Sequence, residues 1–176
     1  MSQRTSGYAR IDGDLYETPA WVTAAVIPHL DPLPGLVWEP AAGGGKIVKE
    51  LQRHGIRVVA TDISTGADFF EHKPVSAPCI LTNPPYSVAQ RFIEHALALC
   101  PEGLVVMLLR TDFDHAKRRV HLFMDNRRFR KKVILTKRIV WFERPGAAPS
   151  FNHAWYIWGP GEGPPVLAYE GGERAP

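Results

Sequence analysis

Pro84 and Pro85 follow directly on the apolar run Cys79-Ile80-Leu81-Thr82. Neither proline has an N–H to donate and both fix φ, so a strand entering this stretch must stop and leave as a stiff, extended bend. The bend, Asn83-Pro84-Pro85-Tyr86, frees carbonyls from any ladder, while Asn83 adds amide acceptor and donor groups and Tyr86 a flat aromatic face. Such a set can grip a planar group carrying an exocyclic amine. Taken alone, it would serve equally well to end a strand.

On either side of the bend, short apolar runs alternate with amphipathic stretches. Thr18 reads as an N-cap and Pro19 as the first residue of a helix over 19–28, with Trp21, Val22, Ala25 and Val26 on one face. A buried strand, Leu36-Val37-Trp38, runs into Glu39-Pro40-Ala41-Ala42-Gly43-Gly44-Gly45, and an amphipathic helix over 46–54 follows, stopped by Gly55. The glycine turn lacks the spacing of a dinucleotide phosphate cradle, which favours packing against a nucleoside. A second strand over 57–61 ends in Asp62, about twenty residues past the glycine turn, where a ribose diol is held in such units. Asp68 and Phe69 offer an acid and an aromatic face for a purine ring. A helix over 88–99, a continuous apolar strand over 104–109, a helix over 117–124 and closing strands over 132–135 and 155–158 complete the pattern, with a breaker-rich loop over 144–149. This alternation predicts a doubly wound α/β domain with its ligand crevice at the carboxyl ends of the strands, where Glu39, Asp62, Asp68 and Asn83 all fall.

At 176 residues and 45% hydrophobic content, the chain suits one core. We expect a single domain over 15–159, a mobile polar stretch over 1–14 and a disordered Gly- and Pro-rich tail over 160–176. No apolar run has the length of a membrane span, and the amino end lacks the apolar core of a signal peptide, so the expected location is the cytoplasm with no membrane partner. Cys79 and Cys100 form no disulfide framework, and seven scattered histidines give no metal spacing, so packing roles and no metal are expected. Charge is unevenly spread. Residues 115–138 hold ten of the 21 Lys and Arg against the one acid Asp125, a net +9 in a chain of +3 overall. Within that block Lys117, Arg118, Arg119, Arg127, Arg128 and Arg130 are read as a nucleic-acid-facing edge.

The set Thr18-Pro19, Glu39-Pro40-Ala41-x-x-Gly44, Asp62, Ala67-Asp68-Phe69 and Asn83-Pro84-Pro85-Tyr86, in that order, resembles the S-adenosylmethionine-dependent N6-adenine DNA methyltransferases in their gamma arrangement. The likeness runs from about residue 15 to about residue 110, with a looser echo in the last hairpin. It implies a Rossmann-like sheet, mostly parallel with an antiparallel carboxyl-terminal hairpin. It further implies that Thr18 with Tyr16 holds the cofactor carboxylate, that Glu39, Ala41 and Gly43 line its methionine part, that Asp62 takes the ribose, and that Asp68 and Phe69 take the adenine. Asn83 and the Pro84 carbonyl would accept hydrogen bonds from the target amine, with Pro85 stiffening the bend and Tyr86 stacking on the base; Phe142 or Phe151 would supply the opposite face. Larger members carry a separate target-recognition domain after the last strand. Here only a short tail follows, so target selectivity would be low, rest on loops such as 113–130, or come from a partner or second copy. The same tetrapeptide occurs in enzymes that methylate RNA adenines or a protein glutamine, and a cofactor-binding module without turnover is a further alternative. Cytosine C5 methylation, which needs a Pro-Cys nucleophile turn, is not expected, because Cys100 precedes Pro101 and Cys79, although it follows Pro78, belongs to a predicted strand.

Overall fold

A computed structural model describes residues 16–72, 78–141 and 151–171. The elements are α1 (Ala20–Val26), β1 (Leu36–Glu39), α2 (Lys46–Arg53), β2 (Arg57–Ala60), β3 (Cys79–Thr82), α3 (Ala89–Leu99), β4 (Leu104–Arg110), β5 (Phe129–Leu135), β6 (His153–Trp158) and β7 (Val166–Glu170). They build one seven-stranded sheet of order β2-β1-β3-β4-β6-β5-β7. Only β6 runs against its neighbours; every other pairing is parallel.

Side chains of a strand alternate between faces, and this alternation divides the core in two. Leu104, Val106 and Leu108 of β4 join Val22, Val26, Ile47 and Leu51 on the face covered by α1 and α2. Val105, Met107 and Leu109 join Phe92, Ile93 and Ala96 of α3 on the other. A strand covered on both sides must be apolar throughout, which is why β4 reads as an unbroken run. Cys79 and Cys100 are both buried, and the Cys100 Sγ donates to the Leu104 carbonyl at 3.5 Å. No helix among the described residues is long and apolar enough to cross a membrane.

Three expectations are corrected. The cap of α1 is Pro19, whose φ −59° and ψ 146° lie just outside the helix, and not Thr18, whose hydroxyl caps nothing; α1 ends at Val26 and a 3-10 turn, Ile27–His29, contains Pro28. The segment expected to be an α-helix over 117–124 is instead a run of 3-10 turns, Lys117–Leu122. The tail expected to be disordered carries β7, paired in parallel with β5 from Lys131↔Val166 to Leu135↔Glu170. Its sequence Val-Leu-Ala-Tyr-Glu satisfies the otherwise open edge of β5. Arg130 secures the approach by donating to the carbonyls of Gly161, Glu162 and Gly163 at 3.3, 2.6 and 2.9 Å. The stretch expected to be mobile over 1–14 and the loop over 144–149 lie outside the described residues.

Candidate active site

The carboxyl ends of β1, β2 and β3 surround a cavity of about 290 Å³. Its wall is made by the glycine turn Ala41–Gly44, by Asp62 and Ile63 after β2, by Asp68, Phe69 and Phe70, by Asn83 and Pro85 after β3, and by Tyr16, Glu17 and Thr18 ahead of α1. Most residues singled out from the sequence therefore meet in one place, although they are spread over nearly 70 positions of the chain.

Glu39 lies beneath the turn and is wholly buried. Its Oε1 accepts the Ala41 N–H at 3.1 Å, and the Thr82 hydroxyl lies beside the carboxyl. Burial pushes its pKa up to about 8, partly offset by the neighbouring Thr82 hydroxyl and then by that N–H. Asp62 is held differently. Burial alone would raise its pKa, but donation from the Ser64 hydroxyl at 2.6 Å, the Gly43 N–H at 2.8 Å and the Ser64 N–H at 2.9 Å outweighs it and keeps the carboxyl below its ordinary value. The bond to Gly43 ties the end of β2 to the glycine turn. Gly43 and Gly45 have φ of 49° and 78°, a region L side chains rarely adopt, which accounts for glycine at those two places.

At the proline bend, the Asn83 Nδ2 donates to the Tyr16 carbonyl at 3.0 Å, which fixes the amide so that Oδ1 is left as the acceptor. That oxygen is buried and has no hydrogen-bond partner among the described residues. The Pro85 carbonyl accepts from the Val88 N–H at 3.1 Å. The Asn83 Oδ1 thus remains as an acceptor at the end of β3, next to the proline bend. Thr18 is similar: 3% exposed, with a hydroxyl that has no hydrogen-bond partner among the described residues.

Not every expected residue faces the cavity. Tyr86 does not line it. The Tyr86 ring lies nearly parallel to those of Tyr16, 6.4 Å away, and His153, 5.8 Å away, and Trp141 closes the group against Tyr16 and His153 at 5.5 and 5.3 Å. Phe69 is a wall residue and also core, stacked on Phe92 at 4.4 Å; Phe70 is the more exposed of the pair, under the Arg91 guanidinium. Phe151 sits under the Arg110 guanidinium at 3.9 Å, and Phe142 lies outside the described residues. Sequence reasoning missed Glu17, Lys46 and Ile63. Each adjoins a motif residue: Glu17 precedes Thr18, Lys46 follows the glycines, and Ile63, an apolar residue 72% exposed, follows Asp62.

The basic block is split by the topology. β5 runs parallel to β4, so its amino end, with Arg127, Arg128 and Arg130, lies at the sheet edge opposite the cavity. Arg128 donates to the carbonyls of Leu97, Cys100 and Gly103 at the end of α3, at 3.2, 2.7 and 2.7 Å. Arg119 lies over the Phe113 ring at 3.9 Å. Lys117 and Arg118, on the segment leaving the carboxyl end of β4, are exposed, as are Lys137 and Arg138 just past the carboxyl end of β5. Among the described residues, no group of three or more His, Cys, Asp or Glu side chains is placed to hold a metal ion.

No family model and no curated protein matches the chain. Solved structures do. A candidate RNA methyltransferase from Pyrococcus horikoshii superposes with a TM-score of 0.58 at 15% identity, over 87% of this chain and 91% of that one. A candidate class I S-adenosylmethionine-dependent methyltransferase from Listeria monocytogenes gives 0.61 at 11% identity, over 93% and 68%. The type IIG restriction endonuclease BpuSI gives 0.60 at 13% identity, where 84% of this chain covers only 25% of the larger enzyme. The chain therefore has the Rossmann-like fold of class I methyltransferases, with the antiparallel β6 near one edge of its sheet.

Proposed function

We propose that this protein is an S-adenosylmethionine-dependent methyltransferase that acts on the exocyclic N6 amine of adenine in DNA. The observation that carries the reading is the buried Asn83 Oδ1, an acceptor without a partner among the described residues, on the wall of a cavity that also carries acids; the Pro84 carbonyl beside it is proposed as the second acceptor. The wall suits the cofactor. Asp62 stands where a ribose diol would sit, Phe69, Phe70 and Ile63 offer apolar faces to a purine with Asp68 beside them, and the unpartnered Thr18 hydroxyl suits a carboxylate. When bound, S-adenosylmethionine supplies an electrophilic methyl group on a positively charged sulfur.

The protein's own work is to activate and orient a weak nucleophile. An adenine amine donates its lone pair into the ring, and positive charge grows on the nitrogen as the new N–C bond forms. Two oxygens accepting its N–H bonds turn that lone pair toward the methyl donor and stabilise the developing charge, with no strong base required. The tie from Asn83 Nδ2 to the Tyr16 carbonyl preorganises one of them. Exposed cations beyond the carboxyl ends of β4 and β5 favour a polyanionic target, and a duplex target would have to be swung out of its stack.

The test uses a methyl-labelled donor with DNA, RNA and a cell lysate offered separately. Label is expected in DNA adenine and absent with Asn83→Ala, while that variant still binds S-adenosylhomocysteine. Label confined to RNA or to a protein glutamine would replace the substrate. Cofactor binding without label in any fraction would leave a binding module and sink the enzyme.

A further inference from the structure

Outside the cavity, at the same end of the sheet as the proline bend, stands an ion pair that belongs to none of the motifs. Arg110, the last residue of β4, donates from Nε to Asp112 Oδ1 at 3.1 Å and from Nη2 to Oδ2 at 2.7 Å. The two side chains keep 42% and 53% of their surface open, so the pair adds little to folding. Its geometry is nonetheless fixed from below. The guanidinium lies over the Phe151 ring at 3.9 Å. The backbone that carries it is pinned as well: the Tyr156 hydroxyl lies 3.1 Å from both the Arg110 and Thr111 carbonyls, Lys132 Nζ donates to the Thr111 carbonyl at 2.9 Å, and the Thr111 N–H donates to the Asn152 carbonyl at 3.0 Å. The fork can turn while its base stays still.

Strand register places this fork beside the bend. Arg110 pairs with His153 across β4 and β6, and because strand side chains alternate, both face the side of the sheet that Leu108 and Trp155 share with α1. The His153 ring in turn lies nearly parallel to that of Tyr86, 5.8 Å away. A carboxylate and a phosphodiester each offer a guanidinium two oxygens at matching spacing, so one can replace the other on the same fork. We infer that Asp112 occupies the place of a target phosphate: in the free protein it holds the Arg110 guanidinium on Phe151, and on docking the guanidinium exchanges Asp112 for a phosphate of the strand whose base reaches Asn83. The carboxylate that is left keeps a cation near it, since Arg119, over the Phe113 ring at 3.9 Å, already feels the Asp112 charge. Asp112 therefore competes with every polyanion for this contact and holds down indiscriminate binding. The inference rests on the nucleic-acid reading above and deepens it from a basic surface to one positioning residue and its competitor.

Fluorescence anisotropy of a labelled, adenine-containing DNA single strand with the full chain tests the exchange. Arg110→Ala is expected to weaken binding about tenfold and to lower the slope of log affinity against log salt by about 0.7, the share of one phosphate contact. Asp112→Asn has the opposite sign, about threefold tighter binding, because the fork no longer has to leave a carboxylate. In the double variant that gain is expected to vanish, since there is no guanidinium left to free. All three variants should bind S-adenosylhomocysteine as the wild type does, because neither residue lines the cavity, and this reports that they are folded. A gain from Asp112→Asn that survives in the double variant would make Asp112 a plain like charge to the strand, and a loss from Asp112→Asn would make the pair a fixed scaffold; either overturns the exchange. Wild-type protein that binds S-adenosylhomocysteine but no DNA would overturn the nucleic-acid reading beneath it, and the exchange with it.

Discussion

Glu39 and His153 are the two buried titratable side chains nearest the chemistry, and they push stability in opposite directions with pH. Burial raises Glu39 from an ordinary 4.5 to about 8, so between those values the unfolded chain ionises while the folded one keeps the proton. Stability contributed at low pH is then lost as pH climbs toward 8, at up to about 1.4 kcal/mol per unit. His153, 2% exposed, is lowered from 6.5 to about 4, chiefly by burial. The unfolded chain binds the extra proton there, so this contribution is complete above 6.5 and is lost as pH falls toward 4. The two oppose each other below 6.5, and above it only the Glu39 slope remains. Urea midpoints should therefore decline from pH 6.5 to 8 in the wild type and stay level in Glu39→Gln; a level wild type would refute the buried acid. At this scale the sequence showed which residues gather, because Glu39, Asp62 and Asn83 each end a strand. It did not show that one acid would be neutral and the other ionised, since that depends on which N–H groups the turns aim at each carboxylate.

Among the elements, the basic block shows how the same side-chain type takes different work from its place in the topology. Arg128, half-buried, collects three carbonyls at the end of α3, a helix terminus that has lost its own donors. Arg128→Ala should cost about 2–4 kcal/mol, because carbonyls accepting from a charged donor would be left under the edge of the sheet. The neighbouring exposed Arg127→Ala should stay within about 0.5 kcal/mol. Urea denaturation with an unchanged slope is the check, and equal effects would mean that the carbonyl cluster is satisfied by water. A run of cations looks uniform in sequence, and nothing in its spacing separates a helix cap from an open surface. The tail was illegible for the converse reason. Its glycines and prolines suggest disorder, yet what decides is the open edge of β5, on which Val166–Glu170 finds a complete ladder, and the Arg130 guanidinium that holds the turn before it. By contrast β4, apolar at every position, could only be a strand covered on both faces.

Across the whole molecule, the sheet sorts charge into two ends. Arg127, Arg128 and Arg130 share the edge away from the cavity, the last two committed to backbone carbonyls, whereas Lys117, Arg118, Lys137 and Arg138 follow the carboxyl ends of β4 and β5. The stretch after Arg138 leads within three residues to Trp141, whose ring packs on Tyr16 and His153 beside the proline bend. Under the proposed function, a nucleic-acid strand that delivers a base to Asn83 would cross this end, with its phosphates beside those cations. Each phosphate deprived of its cation should lower the slope of log affinity against log salt by about 0.7–0.9. The triple variant Lys117→Ala, Arg118→Ala, Arg138→Ala should therefore weaken DNA binding and flatten its salt dependence by up to about 2–3 units. It should leave S-adenosylhomocysteine affinity as in the wild type, because none of the three lines the cavity. Arg127→Ala should change neither measurement. Equal losses from Arg127→Ala and from the triple variant would put the strand on the opposite edge, too far for its base to reach the two acceptors at the end of β3.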